Sequence, residues 1–242
     1  MSCRTTCVDK TFTESGTLDD EIKLVFDDNQ ELYASRNLMC LASPVFKAMF
    51  NSSFKEKQEN CVKLPSKKYE DFNEFLLCLH PAIQRQVTES NVLRIVPIAE
   101  EYQVTSIVSK SKDVMKCWLH KAARITSETR ETLRHLQPLR ECLYILATAD
   151  MLNYEDVVSK AVEKIARFRY GLYNEKGYIN RVRLSMESKV DGEKLKDVRK
   201  KCVSIFEGLS AELRCRILSE RLLYEESDHH GDYSDSYDSD TY

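Results

Sequence analysis

The sequence has little glycine and proline, and it lacks long apolar runs. Its 242 residues include 6 glycines and 5 prolines, which excludes collagen-like and low-complexity chains and indicates a helix-rich protein with few tight turns. No stretch approaches the roughly 18 consecutive apolar residues of a membrane-spanning helix. The first twenty residues contain no central apolar run, so they are not typical of a secretory signal. We therefore expect the protein in the cytoplasm, the nucleus or both.

Residue patterns that support chemistry are also scarce. No glycine-rich phosphate loop is visible, and no serine or cysteine nucleophile is placed against a recognisable histidine. No paired carboxylates form a catalytic frame. Cys3 and Cys7 could supply half of a metal site, but no second pair or nearby histidine completes four ligands. We predict that the protein is not an enzyme and holds no cofactor and no metal.

Charge is nearly balanced in total but unevenly distributed. The 36 basic and 39 acidic residues give a net charge of −3, which argues against a general binder of nucleic acids or membrane surfaces. Residues 225–242 are acidic and contain no lysine or arginine, which predicts a disordered acidic tail. Basic residues dominate between Lys160 and Lys201. A solvated helical face or a contact with the tail is favoured there over a nucleic-acid contact.

The chain has nine cysteines, an odd number. Most of them lie singly within apolar or helical patterns, and no secretory signal precedes them. Reduced thiols that behave as small hydrophobic side chains are therefore expected rather than a disulfide framework. This expectation agrees with an intracellular protein.

The first hundred residues alternate between strand and helix patterns. Residues 21–26 and 31–34 favour strands, and the Asp and Asn residues between them suit the turn of a β-hairpin. Ser35 can cap a short helix, and Ser43-Pro44 has the features of a second helix start, a capping hydroxyl followed by proline. Residues 61–64 read as a third strand. The fold class predicted for this half is α+β.

The second half of the chain shows helical spacing almost throughout. Leucines recur at three- and four-residue steps from Leu136 to Leu146, and a similar pattern runs from Val157 to Phe168. Ser210 precedes a last helical segment. These patterns predict an all-α region after the α+β region, with no internal repeat of the kind that builds a solenoid.

The order and spacing of these segments resemble the BTB/POZ domain, an intracellular protein-interaction fold. The resemblance covers about residues 20–119. Ser35 stands where the family more often has His. With His80-Pro81, it makes the chain similar to divergent invertebrate BTB proteins, which are often fused to MATH domains; residues 1–19 are too short to hold one. The match is carried by Asp20-Glu21-Ile22-Lys23-Leu24-Val25-Phe26, Leu32-Tyr33-Ala34-Ser35-Arg36-Asn37-Leu38 and, most specifically, Leu41-Ala42-Ser43-Pro44-Val45-Phe46-Lys47-Ala48-Met49-Phe50.

The resemblance implies a small sheet flanked by helices, and a homodimer formed through the first helices. Leu38, Met39 and Leu41, which we place on one side of the first helix, are the residues expected at that interface. It also implies a common role, in which the dimer binds the scaffold cullin-3 and recruits substrates for ubiquitination. Phe54 and Glu56 match the hydrophobic-x-Glu pattern of many cullin-binding members. The plainer interpretation makes them a loop anchor and a solvated charge.

We therefore predict four regions: a flexible leader (1–19), a BTB/POZ domain (20–122), a helical region resembling the BACK extension (123–224) and the acidic tail (225–242). The predicted function is that of a protein-interaction adaptor, in the first place a cullin-3 substrate adaptor. The alternative is a BTB scaffold or transcription-associated module without cullin activity. The protein substrate is not identifiable from the sequence.

Overall fold

The structure is a computed structural model that describes residues 11–16, 19–51, 60–122, 133–168 and 189–230. The chain forms two compact units, and the division falls between Val114 and Met115. The division falls inside one helix, and the remaining elements each belong to one unit. Within the described residues, no helix is both long enough and apolar enough to cross a membrane.

The first unit contains a three-stranded sheet. Its strands are β1 (Glu21–Phe26), β2 (Glu31–Ser35) and β3 (Cys61–Leu64), in the order β2-β1-β3. Strand β1 is antiparallel to β2 and parallel to β3. Alternate β1 residues are buried, as the two-residue period of a strand requires. Asn29 takes a left-handed conformation in the hairpin turn, with a φ of 61°, which asparagine tolerates better than most residues.

Helices pack around this sheet. They are α1 (Arg36–Ala42), α2 (Pro44–Asn51), α3 (Tyr69–Leu79), α4 (Val92–Glu101) and α5 (Thr105–Ala122). Aromatic rings fill much of the core: Phe72 and Phe75 meet edge to face with ring centroids 5.5 Å apart, a geometry that aromatic pairs prefer. The predicted α+β class and the predicted BTB/POZ arrangement of sheet and helices are confirmed for this half.

One described segment differs from the predicted flexible leader. Phe12 is 4% exposed and belongs to the core of the first unit. Its carbonyl accepts a hydrogen bond of 2.8 Å from the backbone N–H of Tyr33 in β2. The sequence pattern did not indicate this contact, because a single phenylalanine in a polar segment has no periodicity. Residues 1–10, 17 and 18 lie outside the described part of the chain.

The second unit is helical, as predicted. It contains the end of α5 together with α6 (Leu133–Met151), α7 (Glu155–Ala166), α8 (Lys189–Gly208) and α9 (Ala211–His230). Helix α6 packs against α7 and α8, and α9 packs against α7. The buried side chains include those that carried the helical pattern in the sequence: Leu136, Leu139, Leu143, Leu146, Val157, Val158, Ala161, Val162, Ile165 and Phe168.

Helix α9 extends beyond residue 224, the predicted end of the helical region. It begins where expected, because the Ser210 hydroxyl accepts the backbone N–H of Leu213 at 3.1 Å and so caps its first turn. It continues past Tyr224 to His230. Glu225 and Glu226 are good helix formers, so the backbone helix does not stop where the composition becomes acidic. Residues 231–242 of the predicted tail lie outside the described residues.

Candidate protein-interaction surface

The start of α1 is set by a small hydrogen-bond network. The Ser35 hydroxyl accepts the backbone N–H of Leu38 at 3.2 Å, which caps the helix as the sequence predicted. The same hydroxyl donates to Asp20 Oδ2 at 2.5 Å, and the N–H of Asn37 donates to that oxygen at 3.1 Å. These bonds favour the ionised carboxylate, the Ser35 bond most strongly, and they hold the pKa of Asp20 below its ordinary value.

The junction between α1 and α2 is anchored in the core. Ser43 is buried; its hydroxyl donates to the backbone carbonyl of Tyr102 and accepts the N–H of Phe46 at 3.0 Å. The Tyr102 ring stacks on the Phe46 ring with centroids 4.2 Å apart. Burial raises the pKa of Tyr102 to about 12. Ser43-Pro44 is therefore the helix start that its sequence indicates.

Helix α1 has two different faces. Leu41 is 87% exposed, Leu38 is half-buried, and Met39 is 0% exposed in the core. Adjacent residues of an α-helix are about 100° apart, so Leu38 and Leu41 share a side while Met39 points away from Leu41. The expectation that all three lie on one side is therefore wrong for Met39, which has no exposed surface to offer a partner. Within the described first unit, Leu41 is the only large apolar residue classed as exposed.

Phe54 and Glu56, the predicted cullin contacts, lie outside the described residues, but the structure describes both flanks of their segment. Arg36 links the two flanks. Its guanidinium lies 5.6 Å from the Phe50 ring centroid near the end of α2, and its Nη2 donates to Asn60 Oδ1 next to β3. This role of Arg36 was not predictable from the sequence, because nothing local to the residue indicates that it joins α2 to the residue before β3.

Comparison with known proteins agrees with this architecture. Residues 11–117 match the BTB/POZ domain family, and this range contains the sheet, helices α1 to α4 and most of α5. Residues 11–117 are a BTB/POZ domain. The matched range begins at Thr11, next to the buried Phe12, in agreement with the packing of that segment against β2.

One curated protein to which this chain is similar is the BTB and MATH domain-containing protein 38 of Caenorhabditis elegans. It is 24% identical over 152 aligned residues, which cover 58% of this chain and 39% of the relative. The chain therefore spans well under half of the relative's length. BTB/POZ domains are protein-interaction modules, so the function of this region is sought on its surfaces.

A second surface lies outside the BTB/POZ domain, within the helical unit. Helices α7 and α9 border an open groove of about 790 Å³, with apolar contributions from Val162, Cys215 and Leu223. Its arginines are already paired: Arg216 Nη2 lies 2.8 Å from Glu155 Oε1, and Arg167 Nη2 lies 2.7 Å from Glu163 Oε1. The positive charge predicted around Lys160 is therefore neutralised at this groove.

The described residues contain no cluster of three or more histidine, cysteine, aspartate or glutamate side chains with metal-binding geometry. Cys3 and Cys7 lie outside the described residues.

Proposed function

We propose that this protein is a homodimeric substrate adaptor of a cullin-3 RING ubiquitin ligase, active in the cytoplasm or the nucleus. The observation that carries the proposal is the position of Phe54-Lys55-Glu56 within a BTB/POZ domain. The tripeptide follows α2 and precedes β3, which is where we expect the cullin contact from the family resemblance. A phenylalanine can fill an apolar pocket on a partner, and the neighbouring glutamate adds charge complementarity.

The homodimer part of the proposal rests on α1. Leu41 and Leu38 present apolar surface on one side of this helix. Exposed aliphatic residues of this kind suit an isologous contact between two copies, in which the same helix of each copy takes part. Met39 supports the helix from the core side. The helical unit is left to hold a substrate or another partner.

The cullin contact is tested by measuring the affinity of the purified protein for the cullin-3 N-terminal domain. Phe54→Ala and Glu56→Lys should each weaken binding at least tenfold, which corresponds to about 1.4 kcal/mol. Lys55→Ala, between them, is the matched control and should bind like the wild type. Circular dichroism checks that the variants remain folded.

The outcomes separate the site from the function. Wild-type affinity in both Phe54→Ala and Glu56→Lys would remove the site assignment while leaving the function. A wild-type protein that does not bind the cullin-3 domain would remove the function. The protein would then be a BTB scaffold or transcription-associated module, which nuclear enrichment and a chromatin partner would support.

A further inference from the structure

Helix α8 carries a group of basic side chains next to α6. We call Arg140, Lys196, Lys200 and Lys201 the basic patch; the charges of Lys201, Arg140 and Lys200 act on Asp197. Lys201 Nζ lies 2.8 Å from Asp197 Oδ2, one helical turn away. Lys196 and Lys200 are exposed and also one turn apart, so they lie on the same side of α8.

Contacts between α6 and α8 bring Arg140 to this group. The Cys202 thiol contacts the Leu136 carbonyl at 3.6 Å, which fixes the two helices against each other. Arg140 is one turn along α6 from Leu136. The Lys201 ammonium, followed by the more distant charges of Arg140 and Lys200, holds the pKa of Asp197 below its ordinary value. One carboxylate is thus the centre of a group of cations.

Only one of the four cations of the basic patch forms an ion pair with a described carboxylate. Among the described residues, Asp197 pairs with Lys201, while Arg140, Lys196 and Lys200 take part in no ion pair. The groove between α7 and α9 differs, because Arg167 and Arg216 are paired there with glutamates. The basic patch can therefore still accept an acidic partner.

We propose that the acidic segment of this chain, residues 231–242, binds the basic patch of the same molecule. The segment contains Asp232, Asp235, Asp238 and Asp240 and no lysine or arginine, so its charge is complementary to the patch. It follows His230 at the end of α9, which belongs to the same compact unit as α6 and α8. The proposal is independent of the cullin-3 assignment.

Reach and tethering both favour this intramolecular partner. A fully extended chain of this length spans about 40 Å, which exceeds the roughly 30 Å length of a twenty-residue helix such as α8. Exposed ion pairs are individually weak. A tethered segment nevertheless acts at an effective concentration in the millimolar range, so several weak pairs are sufficient to hold it. A free acidic peptide or a nucleic acid lacks this advantage.

Zero-length carbodiimide cross-linking of the full chain tests the contact, because the reagent joins a carboxylate to an amine only where the two groups touch. Mass spectrometry of the monomer band should find Asp232 to Asp240 linked to Lys196, Lys200 or Lys201 several-fold more often than to Lys63 or Lys110. The last two are exposed lysines of the first unit and serve as controls. In about 1 M salt, where the Debye length is about 3 Å, the preference should disappear.

A binding measurement with heparin as the polyanion probe gives a second readout. A chain ending at His230 should bind heparin several-fold more tightly than the full chain. Lys196→Glu/Lys200→Glu should reduce this difference between the two chain lengths, whereas Lys63→Glu/Lys110→Glu, with the same change in net charge, should preserve it. Circular dichroism confirms that each variant is folded.

Three results would overturn the proposal. The first is cross-links spread evenly over all exposed lysines. The second is cross-links found only between two copies, which would make the contact intermolecular. The third is equal heparin affinity of the full and shortened chains, which would show that the basic patch is free and available to a nucleic acid.

Discussion

At the scale of single residues, Asp20 connects the segment before the sheet to the first helix. Its backbone carbonyl accepts the N–H of Arg36 at 2.9 Å, and its carboxylate accepts hydrogen bonds from Ser35 and Asn37. Ser35 in turn caps α1. The orientation of the Leu38 and Leu41 side of α1 therefore depends on one carboxylate and one hydroxyl.

This network predicts a pH-dependent contribution to stability. The pKa of Asp20 is lowered in the folded state, so its contribution is complete above the unfolded pKa of about 3.9 and is lost as the pH falls through the folded value. Asp20→Asn should lower the free energy of unfolding at pH 7 by about 0.5–1 kcal/mol, allowing for solvent screening. Urea unfolding at several pH values measures this.

The difference between Asp20→Asn and the wild type should shrink as the pH falls below 3.9. Asp19→Asn is the adjacent control, because no hydrogen bond of the Asp19 carboxylate is found among the described residues. A destabilisation by Asp20→Asn that is the same at pH 7 and at about pH 3 would contradict the role of the charge.

The cysteines should differ widely in reactivity. Burial raises the pKa of Cys78 to about 11 and that of Cys142 to about 12, whereas Cys117 and Cys215 are exposed. Alkylation requires the thiolate and access to the sulfur. In the native protein at pH 8, iodoacetamide should modify Cys117 and Cys215 long before Cys142. Peptide mass spectrometry over time measures the order, and equal rates for Cys142 and Cys215 would contradict the described packing.

At the scale of secondary-structure elements, α1 shows how one short helix serves both the core and the surface. Its inward side carries Met39, and its outward side carries Leu41. The flanking serines, Ser35 and Ser43, hold both ends of the helix. The orientation of the exposed side is thus determined by contacts that are themselves part of the folded domain.

Substitutions on the two sides of α1 should affect different properties: stability on the buried side and dimerisation on the exposed side. Met39→Ala creates a cavity in the core and should lower the free energy of unfolding by about 2–5 kcal/mol. At concentrations where both proteins are monomeric, Leu41→Glu should leave the free energy of unfolding within about 0.5 kcal/mol of the wild type. At higher concentrations it should convert the proposed homodimer to a monomer. Urea unfolding and sedimentation velocity measure the two effects. A Leu41→Glu protein that still sediments as a dimer would remove α1 from the interface.

At the scale of the whole molecule, α5 belongs to both compact units. Ile107 lies in the core of the first unit, while Met115 and Leu119 are fully buried residues assigned to the second. The Trp118 indole N–H donates to Glu141 Oε2 at 3.0 Å, which ties the end of α5 to α6. The BTB/POZ match ends at residue 117, inside α5, and the domain boundary that we propose at 122 coincides with the end of this helix.

We therefore expect the self-association of a shortened chain to depend on whether it ends before or after Met115 and Leu119. A chain ending at Ala122 exposes Met115 and Leu119 without their partners in the second unit, whereas a chain ending at Val114 lacks them. We expect the longer chain to self-associate more strongly, since exposed apolar patches promote association. Light scattering over a concentration series measures this, and Met115→Lys/Leu119→Lys should suppress it. Equal scattering by both chains would contradict the assignment of these residues.

Local sequence patterns were sufficient to predict the strands, turns and helix starts, but they did not predict which distant residues pack against them. Alternating burial in β1, the turn at Asn29 and the helix start at Ser43-Pro44 follow from neighbouring residues, because backbone preference and capping act over a few positions. The family resemblance also pointed to the correct domain. The place of Phe12 in the core was not predictable in this way, since its neighbours along the chain are polar.

The burial of Met39 and the proximity of Arg140 to Asp197 depend on residues far away in the chain. The geometry of a seven-residue helix fixes the angles between its side chains. Which of those side chains are buried depends on how the helix packs against the rest of the domain. Likewise, the basic residues near Lys201 are visible in the sequence, yet only packing shows that those near Arg167 are neutralised and those beside Arg140 are not. Charge compensation and burial are properties of three-dimensional neighbours, and those neighbours exist only after the chain has folded.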